Sequence, residues 1–107
     1  MNSNEAMKNE KTYNLGSEVR TIEWGENEDG TVFVTERSSG DLTELVYDAA
    51  EHHQTLVFIP TDDYSIQDIA DTVRSAGEDC FIGDFEDALT LWEVPFTREE
   101  KTVPLVA

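Results

Sequence analysis

The sequence predicts a small α/β (or α+β) domain in β-β-α-β-α-β-β order: a mixed sheet with a parallel core, flanked by two helices. Three observations carry this. Two segments repeat apolar residues at the i, i+3, i+4 spacing of one helix face. The stretch between them is nearly continuously apolar, as in a strand covered on both faces. Runs of alternating polarity stand before and after. At 107 residues the chain is long enough for one domain. Folding would leave ~6,000 Å² of the ~17,500 Å² that the unfolded chain exposes, so a core needs no metal or disulfide staple.

The elements follow in order. Residues 1–11 are polar, with Glu5 and Glu10 balanced by Lys8 and Lys11, and read as a flexible tail before a single acidic domain over 12–107. Val19-Arg20-Thr21-Ile22-Glu23-Trp24 alternates as a half-buried strand does. Glu26 to Gly30 ends in Asp-Gly, a hairpin signal, and Thr31–Thr35 is rich in β-branched residues. Leu42, Leu45, Val46, Ala49 and Ala50 then mark one face of a helix over about 41–53, with Asp41 and Glu44 spaced as in a capping box. Thr55–Ile59 is the buried inner strand. Ser65 and Asp68 open a second helix whose stripe is Ile66, Ile69, Ala70, Val73 and Ala76, and Gly77 closes it. Cys80–Ile82 reads as a short buried strand, 83–87 as a loop, and Leu89–Val94 as a last strand ended by Pro95. Val103–Val106 either docks on the body or frays. Strand, helix, strand, helix, strand in the middle implies right-handed crossovers and hence parallel inner strands.

Composition excludes several classes. The chain has 24 acidic and 7 basic residues, a formal charge of −17. That charge disfavours direct binding to nucleic acid or anionic lipid, both of which need clustered Lys and Arg. No run of 18 apolar residues suits a membrane span, and Met1–Lys11 has no apolar leader, so a cytoplasmic location is the simplest expectation. Cys80 is the only cysteine, so no intrachain disulfide forms.

Four candidate sites stand beside plainer readings. In open α/β sheets ligands sit beyond the carboxyl ends of parallel strands, which would bring Asp62, Asp63 and Asp84 together. Three carboxylates suit Mg²⁺ or Ca²⁺. Such a pocket resembles that of phosphoacceptor receiver domains, but no Lys lies near the last strand end to pair an acyl phosphate, and these acids equally cap helix N-termini. Ser38-Ser39-Gly40-Asp41 could cradle phosphate, yet it lacks a Walker Lys and reads as well as an ordinary strand-to-helix turn. His52 and His53 on a helix would point about 100° apart, making poor co-ligands and good partners for a helix C-terminus. The acidic neighbours of Cys80 oppose a reactive thiolate and favour a core role. Trp24, Phe85 and Trp92 are packing residues first. No cofactor is expected.

The acidity itself remains. Thirteen acids and one base, Arg74, lie between Glu44 and Phe96. On a helix over 41–53, Asp41, Glu44, Asp48 and Glu51 form a stripe with a charge every ~5 Å, against a phosphate every ~3.4 Å along a DNA strand. One explanation is adaptation to a high-salt cytoplasm: Lys is scarce, Thr and Val abundant, and the Debye length falls to ~3 Å at 1 M salt. The other is a functional polyanion that imitates nucleic acid or neutralises a basic protein, as anti-restriction, anti-CRISPR and immunity proteins do. The expectation is a non-enzymatic protein-binding or regulatory module whose partner is another protein with a basic surface. Its contact rim would comprise Glu44, Asp48, Glu51, Asp62 and Asp63. The alternatives are a nucleic-acid-mimicking inhibitor or immunity protein and a Mg-dependent, receiver-like enzyme using Asp62, Asp63 and Asp84.

Overall fold

Five strands form one sheet in chain order: β1 (Lys8–Leu15), β2 (Glu18–Glu26), β3 (Val32–Gly40), β4 (Ala49–Phe58) and β5 (Phe96–Pro104). Helix α1 (Asp41–Tyr47) joins β3 to β4. Helix α2 (Ile66–Ala76), a 3-10 turn (Gly77–Asp79) and helix α3 (Ile82–Leu91) join β4 to β5. The structure is a computed structural model and describes residues 8–105. Among those residues it is an α+β domain with three helices.

Every neighbouring pair of strands is antiparallel, so the expected parallel core is absent. Two lengths explain this. Helix α1 has seven residues and rises ~10 Å, too little to carry the chain back along β3, which spans ~30 Å. The chain therefore turns and runs back beside β3, pairing Val32 with Phe58 and Ser39 with Glu51. Between β4 and β5 stand two helices rather than one. Going down one helix and up the next returns the chain to the end it left, so β5 runs antiparallel to β4.

The hairpin between β2 and β3 and the second helix stand as expected. Asn27 N–H donates to Thr31 O at 2.8 Å and Gly30 N–H to Asn27 O at 3.0 Å. The Thr31 hydroxyl and amide both donate to Asp29, which holds that carboxyl below its ordinary range. At the start of α2, Asp68 Oδ2 accepts from the Ser65 amide at 2.7 Å and its hydroxyl at 3.1 Å. Gly77 (φ 59°) ends the helix, its amide bonded to Val73 O.

Several expectations are corrected. The first helix stops at Tyr47, not near residue 53: Asp48 adopts the left-handed conformation (φ 53°, ψ 45°) and β4 begins at once. Gly40, with no side-chain cap from Asp41, precedes it. The apolar stripe of α1 faces water, with Leu45 82% exposed, although Ile69 and Phe58 are buried as expected. Residues 82–91 form α3, replacing two predicted strands: Ile82, Phe85 and Leu89 make a buried helical stripe, and Asp84 Oδ2 accepts the Phe81 amide at 2.9 Å. Pro95 therefore precedes β5 rather than ending a strand. The tail ends early, since Lys8–Lys11 belongs to β1, and residues 1–7 lie outside the described residues. Of the C-terminal segment, Val103 and Pro104 end β5, Leu105 is exposed, and Val106 lies outside the described residues.

All three helices lie on one face of the sheet. Ile22, Trp24, Val32, Val34, Leu56 and Phe58 point from the strands into α2 and α3, which supply Ile69, Val73, Ile82, Phe85 and Leu89. The opposite face carries no helix among the described residues. It is mostly polar, with hydroxyl pairs Thr12–Thr21 (3.1 Å) and Thr35–Thr55 (2.9 Å) across strands, as suits an antiparallel sheet solvated on one side. No helix of the described residues is long and apolar enough to cross a membrane.

Candidate interaction surface

Along the helix-bearing face, β2 to β4 change character from one end to the other. Trp24, Val34 and Leu56 are apolar at the α2–α3 end. Toward Gly40 the register places Ile22, Glu36 and Gln54 in one row and Arg20, Ser38 and His52 in the next. Arg20, Glu36, Thr43 and His52 are all buried there. Burying a polar group is costly unless it is bonded, and each of these side chains has a partner from another element, although Arg20 Nε has none among the described residues.

Glu36 Oε2 accepts the Ile82 amide at 2.8 Å. It thereby satisfies a free donor in the first turn of α3 and meets the positive end of its dipole. The Arg20 guanidinium donates to the Glu78 carbonyl and lies 3.9 Å over the Phe81 ring and 5.5 Å from the Tyr13 ring centre. Thr43 ties α1 to the sheet: its hydroxyl donates to Glu18 Oε2 at 2.5 Å and lies 3.1 Å from Ser38 Oγ. His52 stacks on Tyr47 of α1 (centroids 3.7 Å apart, 13° between planes), and its Nε2 donates to Glu100 Oε2 at 3.0 Å. That bond, with Arg98 adding to it, pulls the Glu100 carboxyl below its ordinary range.

These ties hold α1 a short way from the start of α3. Between them runs a groove of about 230 Å³, with Leu42, Val46 and Tyr47 on one wall, Phe81 on the other, and Arg20, Glu36, Ser38 and His52 below. Leu42 and Val46 are each 59% exposed and Phe81 is 48% exposed. A solvated helix does not ordinarily show so much apolar surface to water.

The carboxylates are unevenly placed. Residues 61–95, which hold α2, α3 and their loops, carry ten acids and a single base, Arg74. Arg74 is itself paired with Asp71 at 2.9 Å. On the uncovered sheet face, Arg37, His53 and Lys101 stand directly opposite one another across β3, β4 and β5.

The expected contact rim does not form one continuous surface. Glu44 lies on α1 and Asp48 just after it, while Asp62 and Asp63 follow the far end of β4. The ten residues of β4 separate the two groups by ~30 Å. Glu51 is on the uncovered face, where it accepts from His53 Nε2 at 2.8 Å. The acidic stripe is broken because its helix is only half as long as the spacing implied. Asp84 caps α3, and among the described residues no group of three or more His, Cys, Asp or Glu is placed to hold a metal ion. The Ser38–Asp41 segment is occupied by its own chain: the Asp41 amide donates to Ser17 O at 3.1 Å, and Ser38 meets Thr43. His52 and His53 lie on a strand, pointing to opposite faces, rather than at a helix end. Trp24 and Phe85 are buried, whereas Trp92 is half exposed.

Cys80 is fully buried, between the 3-10 turn and α3 rather than in a strand. Burial, with the charges of Asp84 and Glu36 adding to it, pushes its thiol up to about 11. Burial and Asp68 likewise raise Tyr64 to about 12. Both groups bind protons more tightly folded than unfolded, so stability is complete below the ordinary thiol value and is lost as pH rises through the folded one. Melting temperature is expected to fall between pH 9 and pH 11, and the fall should be shallower in Cys80→Ala. Identical alkaline limbs in the two proteins would contradict this.

The residues missed in the sequence are Arg20, Glu36, Thr43, Tyr47 and Phe81. Two of them carried a signal. Arg20 is in phase with Ile22 and Trp24, and Glu36 with Val32 and Val34, so each is a charge in the buried phase of a strand. Compared with protein-family models, curated proteins and solved structures, the chain matches none.

Proposed function

We propose that this protein is a non-enzymatic binding module that docks the basic surface of another protein on its helical side. The observation that carries the reading is the unevenness of the charge: ten acids against one paired base in residues 61–95, while on the opposite face Glu10, Glu23, Glu51 and Glu99 stand among Arg37, His53 and Lys101. Adaptation to salt has no reason to prefer one face. Docking does, because an acidic patch steers a basic partner and fixes its orientation. Imitation of nucleic acid is one form of the same reading, with a nucleic-acid-binding protein as the partner.

The test compares equal charge changes on the two sides, with a lysine 20-mer as the probe. Asp63, Asp79 and Asp87 are exposed on the helical side, and Glu10, Glu23 and Glu99 lie on the uncovered sheet face. Changing the first three to Asn is expected to weaken binding about tenfold at low ionic strength, a cost of ~1.4 kcal/mol. Changing the second three to Gln is expected to alter it less than about twofold, since a rim or remote charge contributes little. Equal losses would overturn the proposal.

A further inference from the structure

We propose that the groove between α1 and Phe81 is the seat of an apolar side chain carried on a basic segment of the partner. This rests on the docking reading above and gives it a centre. Three features of the groove point the same way.

The first is exposure without purpose in the monomer. Leu42, Leu45 and Val46 recur at i, i+3, i+4, the spacing of a helix face that is normally buried. Here Thr43 and Tyr47 anchor α1 to the sheet, while Leu42 and Val46, which line the groove beside them, stay 59% exposed and Leu45, outside the groove, faces water. The second is support from below. The walls stand on buried side chains that are each tied to another element: Glu36 to the Ile82 amide, His52 to Glu100 and Thr43 to Glu18. A groove held this way keeps its shape before anything enters it, and preorganisation lowers the cost of binding. The third is charge. Asp41 and Glu44 belong to α1 and Asp48 follows it, and Glu78, Asp79 and Asp84 lie within three residues of Phe81 in the chain, whereas the one Lys or Arg lining the groove, Arg20, is buried in its floor. An apolar contact on elements that carry charge of one sign suits an interface with a central anchor and a polar surround.

The same acidity chooses the occupant. A second copy of this chain would bring two sets of acids together as water leaves, which opposes self-association. A segment bearing Lys or Arg around one Leu, Phe or Met satisfies both the rim and the centre. The anchor residue lies against Leu42, Val46 and Phe81, and the cations remain at the solvated edge.

The test uses ¹⁵N-labelled full-length protein and two synthetic probes, heptalysine and an amphipathic Lys/Leu peptide of about 14 residues. The amphipathic peptide is expected to shift the amides of Leu42, Val46, Tyr47 and Phe81, and heptalysine to leave them in place. Leu42→Ser with Val46→Ser changes two exposed side chains and should leave the fold intact, as its amide spectrum will show. That variant is expected to bind the amphipathic peptide about tenfold more weakly and heptalysine unchanged. Undiminished affinity of the variant for the amphipathic peptide, or shifts confined to surfaces away from the groove, would overturn the groove assignment while leaving the docking reading in place. Failure of heptalysine to bind any face would overturn the docking reading itself. Concentration-dependent dimerisation abolished by the same variant would assign the groove to a second copy, and so contradict the proposal.

Discussion

Replacing Gly40 by Ala is expected to cost ~4 kcal/mol of stability, enough to lower the melting temperature by ~20 °C. Two separate faults add. Gly40 sits between β3 and α1 at φ +126°, a conformation that side-chain-bearing residues rarely adopt. A Cβ there would also stand 2.2 Å from Ser17 O, in the turn between β1 and β2, and 2.8 Å from Glu18 Cα, at the start of β2, both backbone atoms. Neither can yield without disturbing the Asp41–Ser17 hydrogen bond that seats α1. Gly30 separates the two faults. Its φ is +88° but nothing lies within 4 Å of a Cβ, so Gly30→Ala should cost only ~1–2 kcal/mol. Urea melts of the two variants check this. Equal losses would mean that the close approach at Gly40 is not a constraint.

Phe85→Ala is the second large effect, expected at ~3–5 kcal/mol. Phe85 is fully buried at the middle of α3, among side chains from the sheet and α2. Deleting its ring removes contacts to every layer of the core at once. Leu91→Ala, at the exposed end of the same helix, should change stability by less than ~0.5 kcal/mol. The pair distinguishes α3 from the loop that the sequence suggests over 83–87. A cost below ~1 kcal/mol for Phe85→Ala would place that residue outside the core and contradict the helix.

The elements that could be read from sequence are those whose local signals agree with their tertiary role. In α2 the apolar stripe, the Ser65–Asp68 start and the Gly77 stop all point to one helix, and its buried face is the predicted one. The Asp29-Gly30 turn similarly agrees with the alternation on both sides of it. Where local and long-range preferences conflict, the sheet wins. Ala49–His52 has ordinary helix formers, yet pairing with β3 and β5 draws it into β4, and Asp48 takes the left-handed turn that allows this. Strand β5 was invisible because Thr97–Thr102 is dominated by charge. Such charge is how an edge strand avoids pairing with other chains, and it erases the hydrophobic alternation by which strands are found. In α3, Gly83 suggested a break and Leu89–Val94 alternates by chance, so the stripe of Ile82, Phe85 and Leu89 went unread.

The candidate surface was less legible still. Its acidity is plain in the sequence, but which side it occupies depends on where α2 and α3 pack, and that follows from an antiparallel topology the local patterns do not specify. The groove depends on α1 turning its apolar stripe outward, the reverse of what periodicity implies. Only Arg20 and Glu36 announced themselves, as charges where the strand phase calls for a buried residue.

The central claim is that the surplus carboxylates serve a contact and that the fold does not rely on salt to tolerate them. A series of thermal melts from 0.05 M to 2 M potassium chloride tests it most directly. The apolar core and the bonded Arg20, Glu36, Thr43 and His52 are expected to give a cooperative transition at every concentration, with a rise of at most ~10 °C as screening relieves the −17 charge. A chain unfolded in dilute buffer, which gains its structure only near molar salt, would show that the acidity answers to the solvent and contradict the account.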